Sequence, residues 1–211
     1  MINDPDPTRA AEFYDFFVGL GCHSLGINIE EREGVNVPAY EVIHTQVVEF
    51  WAALTAAWEA NPVIRLREVS RVMEFAAAVL QGRPLSGPMT GPWDPLPTIA
   101  HDGGVVVLSP ELAGFTDQRF GDFTSGNVLR HGLDRLMGEV ERRTPWLTEF
   151  WRGVDACREG CAYFEFCGGG HPANRYFEHE GRLDGTRTRY CTSAKIALLE
   201  GVVKHVRTHG R

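Results

Sequence analysis

Cys157-Arg158-Glu159-Gly160-Cys161-Ala162-Tyr163-Phe164-Glu165-Phe166-Cys167-Gly168-Gly169-Gly170-His171-Pro172, followed much later by Tyr190-Cys191, is the stretch on which the reading of this chain turns. Its cysteines are spaced Cys157-x3-Cys161-x5-Cys167-x23-Cys191. Four thiolates can enclose either a Zn2+ ion or an iron–sulfur cluster. A structural zinc site usually supplies two tight pairs, whereas here three cysteines share one run and the fourth has no near partner. That pattern suits a cubane better than a tetrahedral ion, with zinc as the alternative. Gly168-Gly169-Gly170 is free to turn and to expose backbone N–H groups, which tune cluster sulfurs. The fifth cysteine, Cys22, stands alone after Gly21 and reads as a small apolar residue ahead of a strand.

The rest of the composition narrows the setting. The chain has 211 residues, 21 Lys+Arg against 28 Asp+Glu, and a formal charge of −7. Hydrophobic residues make up 43% and charged residues 23%, values of a globular chain. The negative balance argues against nucleic acid or anionic lipid as the main partner. No apolar run approaches the roughly 18 residues that a membrane span needs. Met1-Ile2-Asn3-Asp4-Pro5-Asp6-Pro7 has neither a basic nor an apolar signal region, so a cytoplasmic location is expected. In a reducing compartment, clustered cysteines are metal ligands or catalytic groups more often than disulfides.

Residues 83–97, rich in Pro and Gly, read as a linker between an α/β segment (1–82) and a C-terminal α+β domain (98–211). In the first segment, helices are expected near 8–20, 45–60 and 68–81, alternating with strands at 23–30 and 63–66. Their inward faces carry Ala10, Phe13, Phe17 and Leu20, then Val47, Phe50, Trp51, Leu54 and Trp58, then Val69, Val72, Met73, Ala76 and Leu80. The strand at 23–30 sets Leu25, Ile27 and Ile29 against Gly26, Asn28 and Glu30. One polar face fits either the inner wall of a partial barrel or a plain solvated edge. So short a parallel sheet would leave Phe13, Phe17, Phe50, Trp51 and Trp58 little to pack against, which predicts association.

In the second segment, Thr98–Ala100 and Val105–Leu108 flank His101-Asp102-Gly103-Gly104 as a hairpin. A helix from Val128 is expected to bury Leu129, Leu133, Leu136 and Val140. Thr144 is expected to cap the next helix, with Pro145 at its first position and Leu147, Phe150, Trp151 and Val154 inward. Thr192 is expected to cap a last helix carrying Ile196, Leu199, Val203 and Val206 on one face. His205 and His209 lie at i, i+4 on it, a spacing far commoner on a polar face than at a metal.

The segment from Cys157 to Phe177 and Tyr190-Cys191 resembles the SPASM domain of radical S-adenosylmethionine enzymes, in particular the cyclophane-forming peptide maturases of the GrrM/OscB type. Asp102-Gly103, Ser109-Pro110-Glu111-Leu112 and Ser125-Gly126-Asn127-Val128 also look like that domain. Residues 1–82 resemble the last strand–helix units of the radical barrel. The resemblance implies that Cys157, Cys161, Cys167 and Cys191 hold one auxiliary [4Fe–4S] cluster. A second auxiliary cluster would need cysteines near the hairpin, where Leu108-Ser109 stands, and three residues beyond the loop, where His171 stands. His171 is expected to serve the helix start instead.

The catalytic C-x3-C-x2-C loop is also missing, since position 164 is Phe164. Cleavage of S-adenosylmethionine would therefore need a partner chain supplying the first barrel strands and the catalytic cluster. The implied function is the auxiliary-cluster portion of a peptide-modifying radical enzyme, inactive alone, with a precursor peptide as partner. The alternative is a free-standing, non-catalytic SPASM-like module that binds a peptide or a partner enzyme.

Overall fold

The structure, a computed structural model, describes residues 1–38, 43–84 and 95–209. The helices in chain order are α1 (Ala10–Gly19), α2 (His44–Ala60), α3 (Arg67–Leu80), α4 (Leu133–Gly138), α5 (Val140–Arg143), α6 (Trp146–Gly160), α7 (Phe164–Cys167), α8 (Pro172–Glu178) and α9 (Ala197–His209). The strands are β1 (Ser24–Leu25), β2 (Arg65–Leu66), β3 (Thr98–Ile99), β4 (Gly104–Val106), β5 (Thr116–Asp117), β6 (Gly121–Asp122) and β7 (Gly126–Asn127). Most of the expected linker, residues 85–94, lies outside the described residues. The chain forms two compact units, one from 1–31, 38–85 and 189–211, the other from 32–37 and 86–188. Residues 189–211, read from sequence with the C-terminal domain, thus group with the first unit.

In the first unit, Asp6 opens the helical start at Pro7–Arg9 by accepting the Thr8 N–H at 2.9 Å. The inward face of α1 is Ala10 and Tyr14, while the expected Leu20 is 63% exposed. Tyr14 explains the difference. Its hydroxyl donates to the Asn61 carbonyl at 2.6 Å, rotating the phenol side of α1 inward against the end of α2.

β1 and β2 pair in parallel, Ser24 with Arg65 and Leu25 with Leu66. The expected strand at 23–30 is shorter because the Ile27 N–H donates to the buried Glu68 carboxylate at 3.0 Å, not to a strand carbonyl. Its alternation survives, with Ile27 and Ile29 buried and Gly26 and Asn28 exposed. Ile2 extends the edge through a parallel bridge to Ile29.

Helix α2 buries Val47, Phe50, Trp51 and Leu54, as its periodicity predicts. Phe50 and Trp51 do find a covering, contrary to expectation: the Phe50 ring meets that of Phe13 on α1, with centroids 6.3 Å apart, and α9 packs on α2 at Trp51. The approach is close at Gly201, where an added Cβ would meet Trp51 Cβ and the Val48 carbonyl, each at 2.6 Å. Leu80 of α3 is exposed, and Val69, Val72 and Ala78 form that helix's buried side.

The last helix begins in a π-helical segment, Cys191–Ile196, and Thr192 lies inside it instead of capping. A π turn takes up an extra residue and shifts the phase of the helix beyond it. The buried face of α9 is accordingly Leu198, Gly201, Val202 and His205, while Val203 and Val206 face outward.

The second unit centres on an antiparallel sheet, order β3-β4-β7, with Ile99 opposite Val105 and Val105 opposite Gly126. The hairpin turn is tied by Asp102, which accepts the Gly104 N–H at 2.9 Å, and Gly103 takes a φ of 84°. No helix starts at Val128. Asn127 Oδ1 accepts the Leu129 N–H at 2.8 Å, a local turn that leaves Leu129 80% exposed.

The core gathers Val106, Leu112, Phe123, Trp146, Phe150, Val154, Phe164 and Leu183. Thr144 does not cap α6 through its side chain, because its hydroxyl donates to Ser125 Oγ at 2.7 Å inside the core. Among the described residues, no helix is long and apolar enough to cross a membrane.

Candidate functional site

Helix α6 is amphipathic, with Trp146, Leu147, Phe150, Gly153, Val154 and Cys157 on its buried side. That face carries Cys157 into the core at the last turn, and Cys161 follows one turn later as the C-cap. The Cys161 N–H donates to the Cys157 carbonyl at 2.9 Å, so the i, i+4 pair sits on one side of the helix end. Cys161 has extended backbone, which redirects the chain into α7, whose last residue is Cys167. Gly168, Gly169 and Gly170 then take φ of 79°, 103° and 78°, a left-handed run that only glycine enters without strain. Gly169 also needs its small size, since an added Cβ would stand 3.0 Å from Val154 Cγ1.

Burial pushes the Cys157 thiol up from its ordinary value, the Arg175 guanidinium opposes that push, and Cys161 and Cys167 add to it. Cys157 is the buried one of the three, and Cys161 and Cys167 are half-buried. Among the described residues, no three Cys, His, Asp or Glu side chains close together as ligands of one metal ion. Cys191 belongs to the first unit, at the head of its π-helical segment, so the four cysteines expected to act together are carried by both units. Cys22 is half-buried and remote in sequence from this turn.

Arg175 is the side chain that sequence reading missed. It lies on α8, is 1% exposed, and points its Nη2 at Cys157 Sγ from 3.5 Å. It also donates to the carbonyls of Gly169 and Leu183 and lies 5.2 Å from the centroid of the Phe150 ring. The only sequence signal was an arginine among the apolar residues of Pro172–Phe177, which patterning assigns to a solvated face.

The two positions where a second cluster would need ligands meet at the start of α8. His171 is exposed and forms the N-cap residue, with Pro172 at the first helical position. The buried Ser109 hydroxyl accepts the Ala173 N–H at 3.2 Å, capping α8 from the end of the hairpin.

Elsewhere, a cavity of about 150 Å3 in the first unit is lined by Asn28, Ile29, Arg67, Glu68, Arg71 and Lys195 among others, next to the end of β1. His205 is not on a polar face. It is buried, with Nε2 2.6 Å from Glu59 Oε2 and its ring stacked on that of His209.

No protein-family model matches the chain. An uncharacterized protein of Synechocystis sp. is 27% identical over 186 residues, which is 85% of this chain and 45% of that protein. A solved structure of anSMEcpe with bound AdoMet and the Kp18Cys peptide follows 96% of this chain at 16% identity and TM-score 0.59, using 55% of its own length. A second, with bound AdoMet, does so at TM-score 0.60 over 54% of its length. The chain thus spans about half the length of the proteins it matches. anSMEcpe is a radical S-adenosylmethionine/SPASM anaerobic sulfatase-maturating enzyme, and the likeness supports that fold without singling out the GrrM/OscB type. Over nearly its whole length, then, the chain is built like part of a radical S-adenosylmethionine/SPASM enzyme.

Proposed function

We propose that this chain is the auxiliary-cluster portion of a radical S-adenosylmethionine enzyme that modifies a ribosomally made peptide. Cys157, Cys161 and Cys167 hold one [4Fe–4S] cluster, with Cys191 as the fourth ligand. The observation that carries the reading is the segment from the end of α6 through α7, where Cys157, Cys161 and Cys167 follow one another, a left-handed glycine run comes after Cys167 and a buried guanidinium faces Cys157. In a cubane each thiolate takes its own iron, so its ligands stand wider apart than donors closed on one Zn2+ at about 2.3 Å. Three cysteines in one run and a fourth far along the chain suit the wider arrangement. The hydrogen-bonded start of α8, with Ser109 and His171 where further thiols would be needed, favours one cluster over two.

When bound, such a cluster supplies a one-electron store. The chain's own residues shape its surroundings. α6 and α7 carry the thiols, the glycine run turns the chain after Cys167, and the core around Phe150 and Phe164 packs against Cys157. With no C-x3-C-x2-C loop in the sequence, S-adenosylmethionine chemistry belongs to a separate chain or segment carrying the remaining strands. A precursor peptide is the proposed partner, on the resemblance of the cysteine segment to the cyclophane-forming type; the anSMEcpe complex holds a bound peptide of its own.

One observation favours the second reading, a free-standing module. α9 closes over α2, giving the first unit a buried core of its own.

Anaerobic reconstitution of the full chain tests the main proposal. About four irons and as many sulfides per chain are expected. Stoichiometric zinc without sulfide would replace the cluster reading with the zinc one. Incubation with dithionite and S-adenosylmethionine should release no 5′-deoxyadenosine above a protein-free control. Adding a chain that carries C-x3-C-x2-C should restore release if the split-enzyme reading holds, and leave it at background if the module stands alone.

A further inference from the structure

We infer that Arg175 is a positioning and tuning residue for the cluster, its guanidinium held against Cys157 so that the reduced, more negative state is favoured. This rests on the cluster reading above and assigns a role to a residue outside the cysteine set.

The placement is specific. Arg175 is 1% exposed, deeper than any other arginine of the described residues. Removing a guanidinium from water costs several kcal/mol unless negative charge and hydrogen-bond acceptors meet it. Two acceptors are in place, the carbonyls of Gly169 and Leu183, the latter at 3.3 Å. The nitrogen that reaches Gly169 also faces Cys157 Sγ at 3.5 Å. One planar fork therefore ties the buried thiol at the end of α6 to the glycine run after Cys167.

The fold makes room for this arrangement. Gly153 lies one helical turn before Cys157, and any Cβ there would run into Arg175 Nη1 and stand 2.8 Å from Asp184 Cα. The Phe150 ring, one turn earlier again on the same face of α6, lies under the guanidinium. Lysine has the charge but not the fork.

The electrostatic consequence is a matter of charge count. On reduction, [4Fe–4S]2+ accepts one electron from an external low-potential donor and becomes [4Fe–4S]+, and the donor is oxidised by one electron. The cluster gains one negative charge. A fixed cation a few ångströms from a ligand sulfur stabilises that product more than the starting state, and N–H donation to the sulfur acts in the same direction. A residue that merely filled space would change stability and leave the midpoint alone.

The test compares the full-length wild-type chain with R175K, R175Q and R175M after anaerobic reconstitution. Iron and sulfide are counted, folding is checked by circular dichroism, and the midpoint is read by EPR during a mediated dithionite titration. In R175Q and R175M the ratio of reduced to oxidised cluster at a fixed potential should fall about tenfold, equivalent to about 59 mV for one electron. R175K should shift less, in the same direction, and it decides the matter if the neutral variants do not fold. A wild-type midpoint in every variant that folds with its full iron overturns the role of Arg175 while leaving the cluster reading intact. A wild-type chain that takes up no iron overturns the cluster reading and this inference with it.

Discussion

In the first unit, a 17-residue α2 lies against a 13-residue α9, and the two approach closely where Gly201 meets Trp51. Trp51 is buried there against Gly201, and polar pairs also join the two helices: His44 with Glu200 at 2.8 Å, Lys204 with Glu49, and the buried His205 with Glu59. Among the described residues of the second unit no strand exceeds three residues, and between α7 and the end of the unit the chain is mostly loop and one short helix. Order there comes from side chains that reach backbone. Glu149 accepts the Leu183 N–H at 2.8 Å, Arg119 donates to the Gly181 carbonyl, Arg175 holds Gly169 and Leu183, and Ser109 caps α8. The difference teaches where each unit is vulnerable. Long amphipathic helices stabilise through buried area, so losing one marginal pair costs little. Short elements leave many backbone groups to be satisfied singly, so one misplaced buried polar group costs much.

The sharpest way to break this contrast is Gly153→Ala. The new methyl would displace Arg175 and press on Asp184, and a loss of roughly 3 kcal/mol or more is expected in the second unit. Hydrogen exchange by peptide should show faster opening of 146–188 with α2 and α9 unchanged. Equal loosening of both units would mean they unfold as one and would remove the contrast altogether.

Gly201→Ala is the counterpart in the first unit. Its Cβ would force α9 away from Trp51 and Val48, at a cost of about 2 kcal/mol. The exchange change should fall on α2 and α9. Protection lost around α6 instead would contradict the description of α2 and α9 as a self-contained pair.

Acid should separate the units more gently. Burial pushes Asp117 up, but hydrogen bonds from the Arg119 N–H and the Tyr176 hydroxyl, with the Arg119 charge, hold it net below its ordinary value. A carboxylate depressed in the folded state contributes stability above its unfolded value, near about 3.9, and loses it as pH falls through the folded value. The second unit should therefore loosen as pH drops below about 4. Asp117→Asn should cost about 1 kcal/mol at neutral pH and flatten this acid limb. An acid transition of unchanged size in the variant would assign the effect to other carboxylates.

The smallest effect is expected at Lys204→Ala. The Lys204–Glu49 pair is half exposed on both sides, and its loss should change stability by about 0 to 1 kcal/mol. A larger loss in thermal unfolding would mean that marginal ion pairs, and not the apolar contact, join α2 to α9.

Much of this was legible residue by residue. The inward stripes of α2 and α3 arise from the 3.6-residue period, and the alternation of Ile27 and Ile29 against Asn28 from the period of two. Asp102-Gly103 announced its turn because a short carboxylate and a residue tolerant of positive φ are local requirements. The i, i+4 spacing of Cys157 and Cys161 likewise fits one side of a helix end, where the structure places both.

What the chain does across distance was not legible. Leu129 and Thr144 have ordinary helical patterning, yet Asn127 and Ser125 capture their neighbourhood through bonds that no periodicity encodes. The inward face of α9 moved by one position because a π-helical segment precedes it, and the choice between α and π winding is made by packing. By itself the sequence determined local winding, turns and the supply of four thiols, since these depend on near neighbours and on steric limits of the backbone. Only tertiary structure decided that α9 covers Trp51 and that Arg175 lies buried against Cys157. A charged side chain enters a core only when distant carbonyls and sulfurs converge to receive it, and that convergence is a property of the fold.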